Sequence, residues 1–156
     1  MLVLRDNMEV YWLGNSTFRL KGKLASAVIN QDGVTIDPHV FSGPGEYESK
    51  GIMVYGIAGE GEGLVYQVTI DGLQVVFLSG SVKPEGIEQT DILLTPTAGA
   101  VADLEPRMII PYGEGENLTK LLKELGGESA EVLPKLSITK DKLPDEPQVV
   151  VLDHAK

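Results

Sequence analysis

Apolar residues along this chain come in short runs, many of them β-branched, and most runs are closed by glycine, proline, asparagine or aspartate. Runs of that length bounded by turn residues predict strands joined by tight turns. Residues 10–13 and 18–20 flank a Gly14-Asn15 turn, residues 27–30 and 34–36 flank Asp32-Gly33, and residues 52–57 come next. The acidic stretch Gly59-Glu60-Gly61-Glu62-Gly63 then reads as a solvated loop, since each glycine raises the entropy cost of ordering it. Residues 64–70 and 73–78 flank Asp71-Gly72, and because both turn residues tolerate positive φ this is the clearest hairpin in the chain. At 92–94 and 108–110 the apolar run is continuous instead of alternating and a proline follows (Pro96, Pro111), which predicts strands buried on both faces. Residues 149–152 supply the last strand.

Helical periodicity is confined to residues 117–125, where Leu118, Leu121, Leu122 and Leu125 recur at i, i+3, i+4 and i+7. Asn117 is placed to cap this helix and Gly126-Gly127 to stop it. Residues 84–89 predict one further helical turn. Strand therefore outweighs helix. No repeat or linker divides the 156 residues, so a single domain spanning 1–156 is expected, and 42% hydrophobic content is enough for one continuous core.

Composition removes several function classes. No apolar run approaches the roughly 20 residues that cross a bilayer, and the start carries Arg5, Asp6 and Glu9 instead of a signal sequence's apolar stretch; a cytoplasmic protein that does not enter membranes is expected. Without cysteine there is no thiolate nucleophile or ligand. Thirteen basic against 23 acidic residues give a formal charge of −10, which repels a phosphate backbone. Lysines do gather toward the C-terminus (Lys120, Lys123, Lys135, Lys140, Lys142), but Glu124, Glu128, Glu131, Asp141, Asp145 and Glu146 lie among them, so no nucleic-acid partner is expected.

Few residues offer chemistry. His39 beside Asp37 has the makings of a general base oriented by a carboxylate, yet no nucleophile or oxyanion feature stands near it, and a loop histidine after a strand end is the simpler reading. Asp37, Glu46 and Glu48 together form the one candidate set for a hard cation, at a spacing that matches no calcium loop. Ser16, Ser42, Ser79 and Ser81 lie in no Gly-x-Ser-x-Gly elbow. The stretch Gly43-Pro44-Gly45-Glu46-Tyr47 lacks the lysine and following helix of a phosphate loop and reads as a tight turn. With only His39 and His154 in the whole chain, the usual tetrahedral zinc donor set cannot be assembled.

Seven segments in order resemble the metallo-β-lactamase superfamily, in the branch of L-ascorbate-6-phosphate lactonase-like proteins. They are Tyr11-Trp12-Leu13-Gly14-Asn15-Ser16-Thr17-Phe18, Val34-Thr35-Ile36-Asp37-Pro38, Gly43-Pro44-Gly45-Glu46-Tyr47-Glu48 with Gly51-Ile52-Met53-Val54, Val75-Val76-Phe77-Leu78, Thr90-Asp91-Ile92-Leu93-Leu94-Thr95-Pro96, Glu105-Pro106-Arg107-Met108-Ile109-Ile110-Pro111, and Leu136-Ser137-Ile138-Thr139-Lys140 with Leu143-Pro144. The resemblance implies an α+β, β-rich αββα sandwich of two facing sheets, here with reduced helices. It also implies where metal ligands would stand, and at those positions this sequence has none: Asn15 replaces a histidine, Gly80 an aspartate and Gly113 a histidine. The histidine-rich loop is missing too, because Asp37-Pro38 runs almost directly into Gly43-Pro44-Gly45. Asn15 is expected to preserve the local turn by hydrogen-bonding its backbone.

A metal-free, cofactor-free structural or binding module is therefore expected, with a metal-dependent or carboxylate-based hydrolase of a small phosphorylated or lactone substrate as the alternative. Nothing in the sequence names a small-molecule ligand. Residues 97–105 are also too short for the helix that the resemblance places between the buried strands, so an outer sheet face is either polar or covered by another subunit. Uncovered strand edges favour pairing, and a homo-oligomer is expected.

Overall fold

The computed structural model describes residues 7–57 and 59–154. In chain order β1 (Met8–Trp12), β2 (Phe18–Lys21), β3 (Ser26–Asn30), β4 (Gly33–Ile36) and β5 (His39–Phe41) form successive antiparallel hairpins. Next come β6 (Gly45–Ser49), β7 (Ile52–Ile57), β8 (Gly59–Glu60), β9 (Val65–Ile70) and β10 (Leu73–Leu78), then β11 (Lys83–Pro84), β12 (Ile92–Thr95), helix α1 (Val101–Leu104) and β13 (Met108–Pro111). Helix α2 (Gly115–Leu125), β14 (Val132–Leu133), β15 (Leu136–Ile138), a 3-10 turn (Lys140–Lys142), β16 (Gln148–Val149) and β17 (Val151–Leu152) complete the chain.

Two large sheets result. One has the order β15-β1-β2-β3-β4-β5, the other β16-β13-β12-β10-β9-β7-β6, and β8 with β11 and β14 with β17 form two small ribbons. In β1, β2 and β3 burial alternates: Met8, Val10, Trp12, Phe18, Leu20, Ala27 and Ile29 turn inward. Glu9, Arg19, Lys21 and Ser26 turn outward together with Tyr11 and Val28, so this sheet's outer face is mostly polar. In the second, β12 and β13 are buried at every position and pair in parallel, as their unbroken apolar runs predict. One hydrophobic cluster takes Phe18, Ile29 and Ile36 from the first sheet and Val54, Val68, Phe77, Ile92 and Ile110 from the second, joining them into a single core. A smaller cluster lies on the second sheet's other face, where Val82, Ala100, Val101 and Leu104 cover Val65, Val76, Leu78 and Leu93.

The Asp71-Gly72 hairpin forms as expected, with both turn residues at positive φ (50° and 79°). Several other expectations are corrected. The tight turn expected over residues 43–47 ends at Pro44, and Gly45–Ser49 is an edge strand because its backbone pairs along β7 and Tyr47 stacks on Phe41 at 5.0 Å. The acidic stretch is anchored at both ends, through the pairing of β8 with β11 and through a hydrogen bond from the Leu64 amide to Ser79 Oγ at 2.8 Å. Residues 84–89 form no helical turn: the β8 pairing holds Lys83–Pro84 extended, and Gly86 at φ 78° bends the chain beyond it. Helix α2 starts at Gly115 with extended Glu114 as its cap, which places Asn117 inside the first turn, while Gly126 at φ 70° ends it as predicted. The last strand is two, because Gln148–Val149 pairs with β13 and Val151–Leu152 with β14. Arg5 and Asp6 lie outside the described residues. Among the described residues no helix is long and apolar enough to cross a membrane.

Candidate functional site

The three segments that carry Asn15, Gly80 and Gly113 come together, because their neighbours touch. Phe18 meets Tyr112 edge-to-face at 5.3 Å, Phe77 stacks on Tyr112 at 6.1 Å with the rings nearly parallel, and the Tyr112 hydroxyl donates to the Leu78 carbonyl at 2.6 Å. Phe18, Phe77 and Tyr112 are all buried, and burial pushes the Tyr112 phenol above its ordinary range. A phenol so placed is a fixed donor and a packing element, with no proton to give near neutral pH.

Each of the three positions has a local reason for its residue. At Asn15 the backbone is left-handed (φ 49°) and the residue's own carbonyl accepts the Trp12 indole N–H at 2.9 Å. The turn is thus held through the main-chain carbonyl, where a side-chain bond was expected. At Gly80 any side chain would collide with the main chain, since an added Cβ would lie 2.6 Å from the Glu62 carbonyl oxygen and 3.3 Å from the Gly63 Cα. The acidic stretch occupies that space. Gly113 sits at φ 153° with Leu118 near 3.8 Å; there is room for a side chain but the backbone favours glycine. It lines a groove of about 520 Å³ with Thr97, Tyr112, Asn117 and Lys120, at the carboxyl ends of β12 and β13.

The catalytic candidates separate. Asp37 and His39 lie at the turn from β4 to β5, where the Asp37 carbonyl accepts Lys50 Nζ at 2.7 Å and the His39 ring stacks on Phe41 at 6.1 Å. Glu46 and Glu48 lie exposed on β6, opposite Tyr55 and Met53, and face away from the core. His154, the other histidine, packs edge-to-face on Trp12 at 5.2 Å. Among the described residues no three His, Asp or Glu side chains group to hold a metal ion.

Sequence reading missed one polar centre. Asp91 is 2% exposed, and its carboxylate accepts the Gln74 amide at 2.8 Å, Gln89 Nε2 at 3.0 Å and Lys140 Nζ at 2.7 Å. It ties β10, the start of β12 and the 3-10 turn together, a structural use of a buried charge that is paired on every side. An aspartate immediately before a continuous apolar run was the available signal.

No protein-family model matches the chain, and no curated protein matches it in sequence. Among solved structures it is similar to a Thermotoga maritima protein that carries the provisional description of a Zn-dependent hydrolase of the metallo-β-lactamase superfamily. The TM-score is 0.73 at 20% identity, over 95% of this chain and 100% of that one. The fold is therefore metallo-β-lactamase-like, β-rich with few helices, and at that identity the likeness concerns the fold alone. Zinc, which that description names, finds no cluster of three His, Asp or Glu donors among the described residues.

Proposed function

We propose that this chain is a degenerate metallo-β-lactamase-fold protein of the lactonase-like branch, an αββα sandwich with reduced helices that serves as a binding module without hydrolase activity. The observation that carries the reading is the contact at Gly80. A missing ligand alone is a matter of one substitution, whereas a side chain at residue 80 would meet the Glu62 carbonyl and could enter only if the main chain of residues 62–63 shifted. The aromatic packing of Phe18, Phe77 and Tyr112 supports the same reading, because it fills the region where the three ligand-bearing segments meet. Asp37 and His39 stand exposed at the β4–β5 hairpin turn and line none of the grooves described above, which gives the alternative chemistry no support.

The test is metal content and turnover in one preparation. Protein purified with added zinc or manganese is expected to carry neither metal stoichiometrically and to leave phosphodiesters, lactones and β-lactams intact. Restoring the donors by Asn15→His, Gly80→Asp and Gly113→His together should still fail to bind zinc. Stoichiometric metal with hydrolysis by the unmodified chain would overturn the proposal.

A further inference from the structure

The smaller hydrophobic cluster covers only part of the second sheet's outer face. Toward its β6 edge that face is a groove of about 770 Å³, floored by Met53, Tyr55, Gln67 and Thr69. Its rims are acidic on both sides: Glu46 stands on β6, and Glu85 and Glu88 stand on the segment that leads to β12. Among the described residues no lysine, arginine or histidine lines it. Met53 is 41% exposed on this floor and gives it a flexible, polarizable apolar side chain accessible to a partner. The floor is already ordered, since Gln74 Oε1 accepts both Gln67 Nε2 at 3.0 Å and Thr69 Oγ1 at 2.7 Å.

We propose that this trough is a docking surface for a basic amphipathic helix of a partner protein. Charge complementarity names the occupant, because three carboxylates face each other across a partly apolar floor whose lining holds no basic side chain among the described residues. Dimensions fit as well. From β6 across β7 and β9 to β10 is three strand spacings, roughly 14 Å, and a helix with its side chains is about 10–12 Å wide. The six-residue strands of the floor run for about 20 Å, the length of roughly 13 helical residues. Lysines or arginines on both flanks of such a helix would reach the two rims while its apolar stripe meets Met53 and Tyr55. A second copy is the poorer occupant: the chain carries −10, and its own long helix α2 balances Lys120 and Lys123 against Glu116 and Glu124. This gives the binding role proposed above its partner, yet stands apart from the loss of chemistry, since the trough lies on the opposite face of the sheet from Phe77.

Isotope-labelled protein is to be titrated with a synthetic Leu/Lys helical peptide of about 14 residues, a scrambled peptide of equal charge, and a Leu/Glu counterpart. The expected result is backbone shift changes confined to Met53, Tyr55, Gln67 and Thr69 and their neighbours, with the helical peptide alone. In the variant Glu46→Gln/Glu85→Gln/Glu88→Gln the Kd should rise about tenfold or more at unchanged Tm, whereas Glu128→Gln/Glu131→Gln/Glu146→Gln should alter it less than about twofold. Equal binding of the scrambled peptide, shifts spread over other acidic surfaces, or equal weakening by both variants would reduce the effect to diffuse charge and overturn the proposal. Self-association abolished by Met53→Glu would assign the face to a second copy, and equally overturn it. Metal content and hydrolysis enter none of these readings, so the two proposals fail separately.

Discussion

At the scale of single residues, the two most consequential positions are a glycine and a tyrosine. Gly80→Asp forces a side chain against the Glu62 carbonyl and is expected to cost about 2–4 kcal/mol, read as a lowered denaturation midpoint at unchanged m-value. Tyr112→Phe keeps the ring packing and deletes one hydroxyl, leaving the Leu78 carbonyl without its buried donor. A loss of about 1–2 kcal/mol is expected, with ring contacts unchanged in nuclear Overhauser spectra. Of these two only Gly80 stands out in the sequence, as a position where the resemblance implies an aspartate. Its family position singled it out as a lost ligand, while its steric role needs residues 62–63 folded back across it, a tertiary fact that no local pattern carries.

At the scale of elements, the legible part was the local part. The residues 64–78 hairpin has its turn chemistry and apolar strands within one stretch, and β12 and β13 announce burial by composition alone. β5 and β6 are not legible, because β5 is only three residues long, β6 is mostly polar, both are largely exposed, and they become strands through backbone pairing with β4 and β7. β8 too is a strand through its backbone pairing with β11. The joint between β1 and β15 gives a pH-dependent prediction. Lys135, just before β15, donates to Glu9 and holds its carboxyl below the usual value of 4.5, while the same bond holds the Lys135 ammonium above its own. Glu9 therefore adds stability at pH above its unfolded-state value, and the contribution disappears as pH falls through its lower folded-state value. Lys135 acts in the opposite direction, with its share present at neutral pH and lost only as strongly alkaline pH passes its folded-state value. Carboxyl-detected titration should show Glu9 with a midpoint below 4.5 that moves upward in Lys135→Met. An unmoved midpoint would assign the shift to another cause.

At the scale of the whole molecule, the outermost strands of the large sheets among the described residues are β15 and β5 in one, and β16 and β6 in the other. Unpaired strand edges are the easiest place for two copies to meet, and we propose association there, with Val40 (63% exposed) on the β5 edge as its apolar element. Light scattering at micromolar concentration should give a mass of at least about twice 16.8 kDa, and Val40→Lys should shift it toward the monomer. A single species of 16.8 kDa would remove this expectation. The metallo-β-lactamase-like fold is legible from ordered segments spanning nearly the whole sequence, whereas the packing around Phe77 and Gly80 is not. Absent donors can be read from letters, but the aromatic fill and the strapped acidic stretch depend on contacts between residues far apart in the chain.

The embrace of residue 80 by residues 62 and 63 fixes the order in which a protein engineer has to work. Grafting an acid there first yields a misfit whatever metal is supplied. Only after residues 59–63 have been shortened or rerouted does a side chain at residue 80 acquire somewhere to go, so a loop excision has to precede any substitution there.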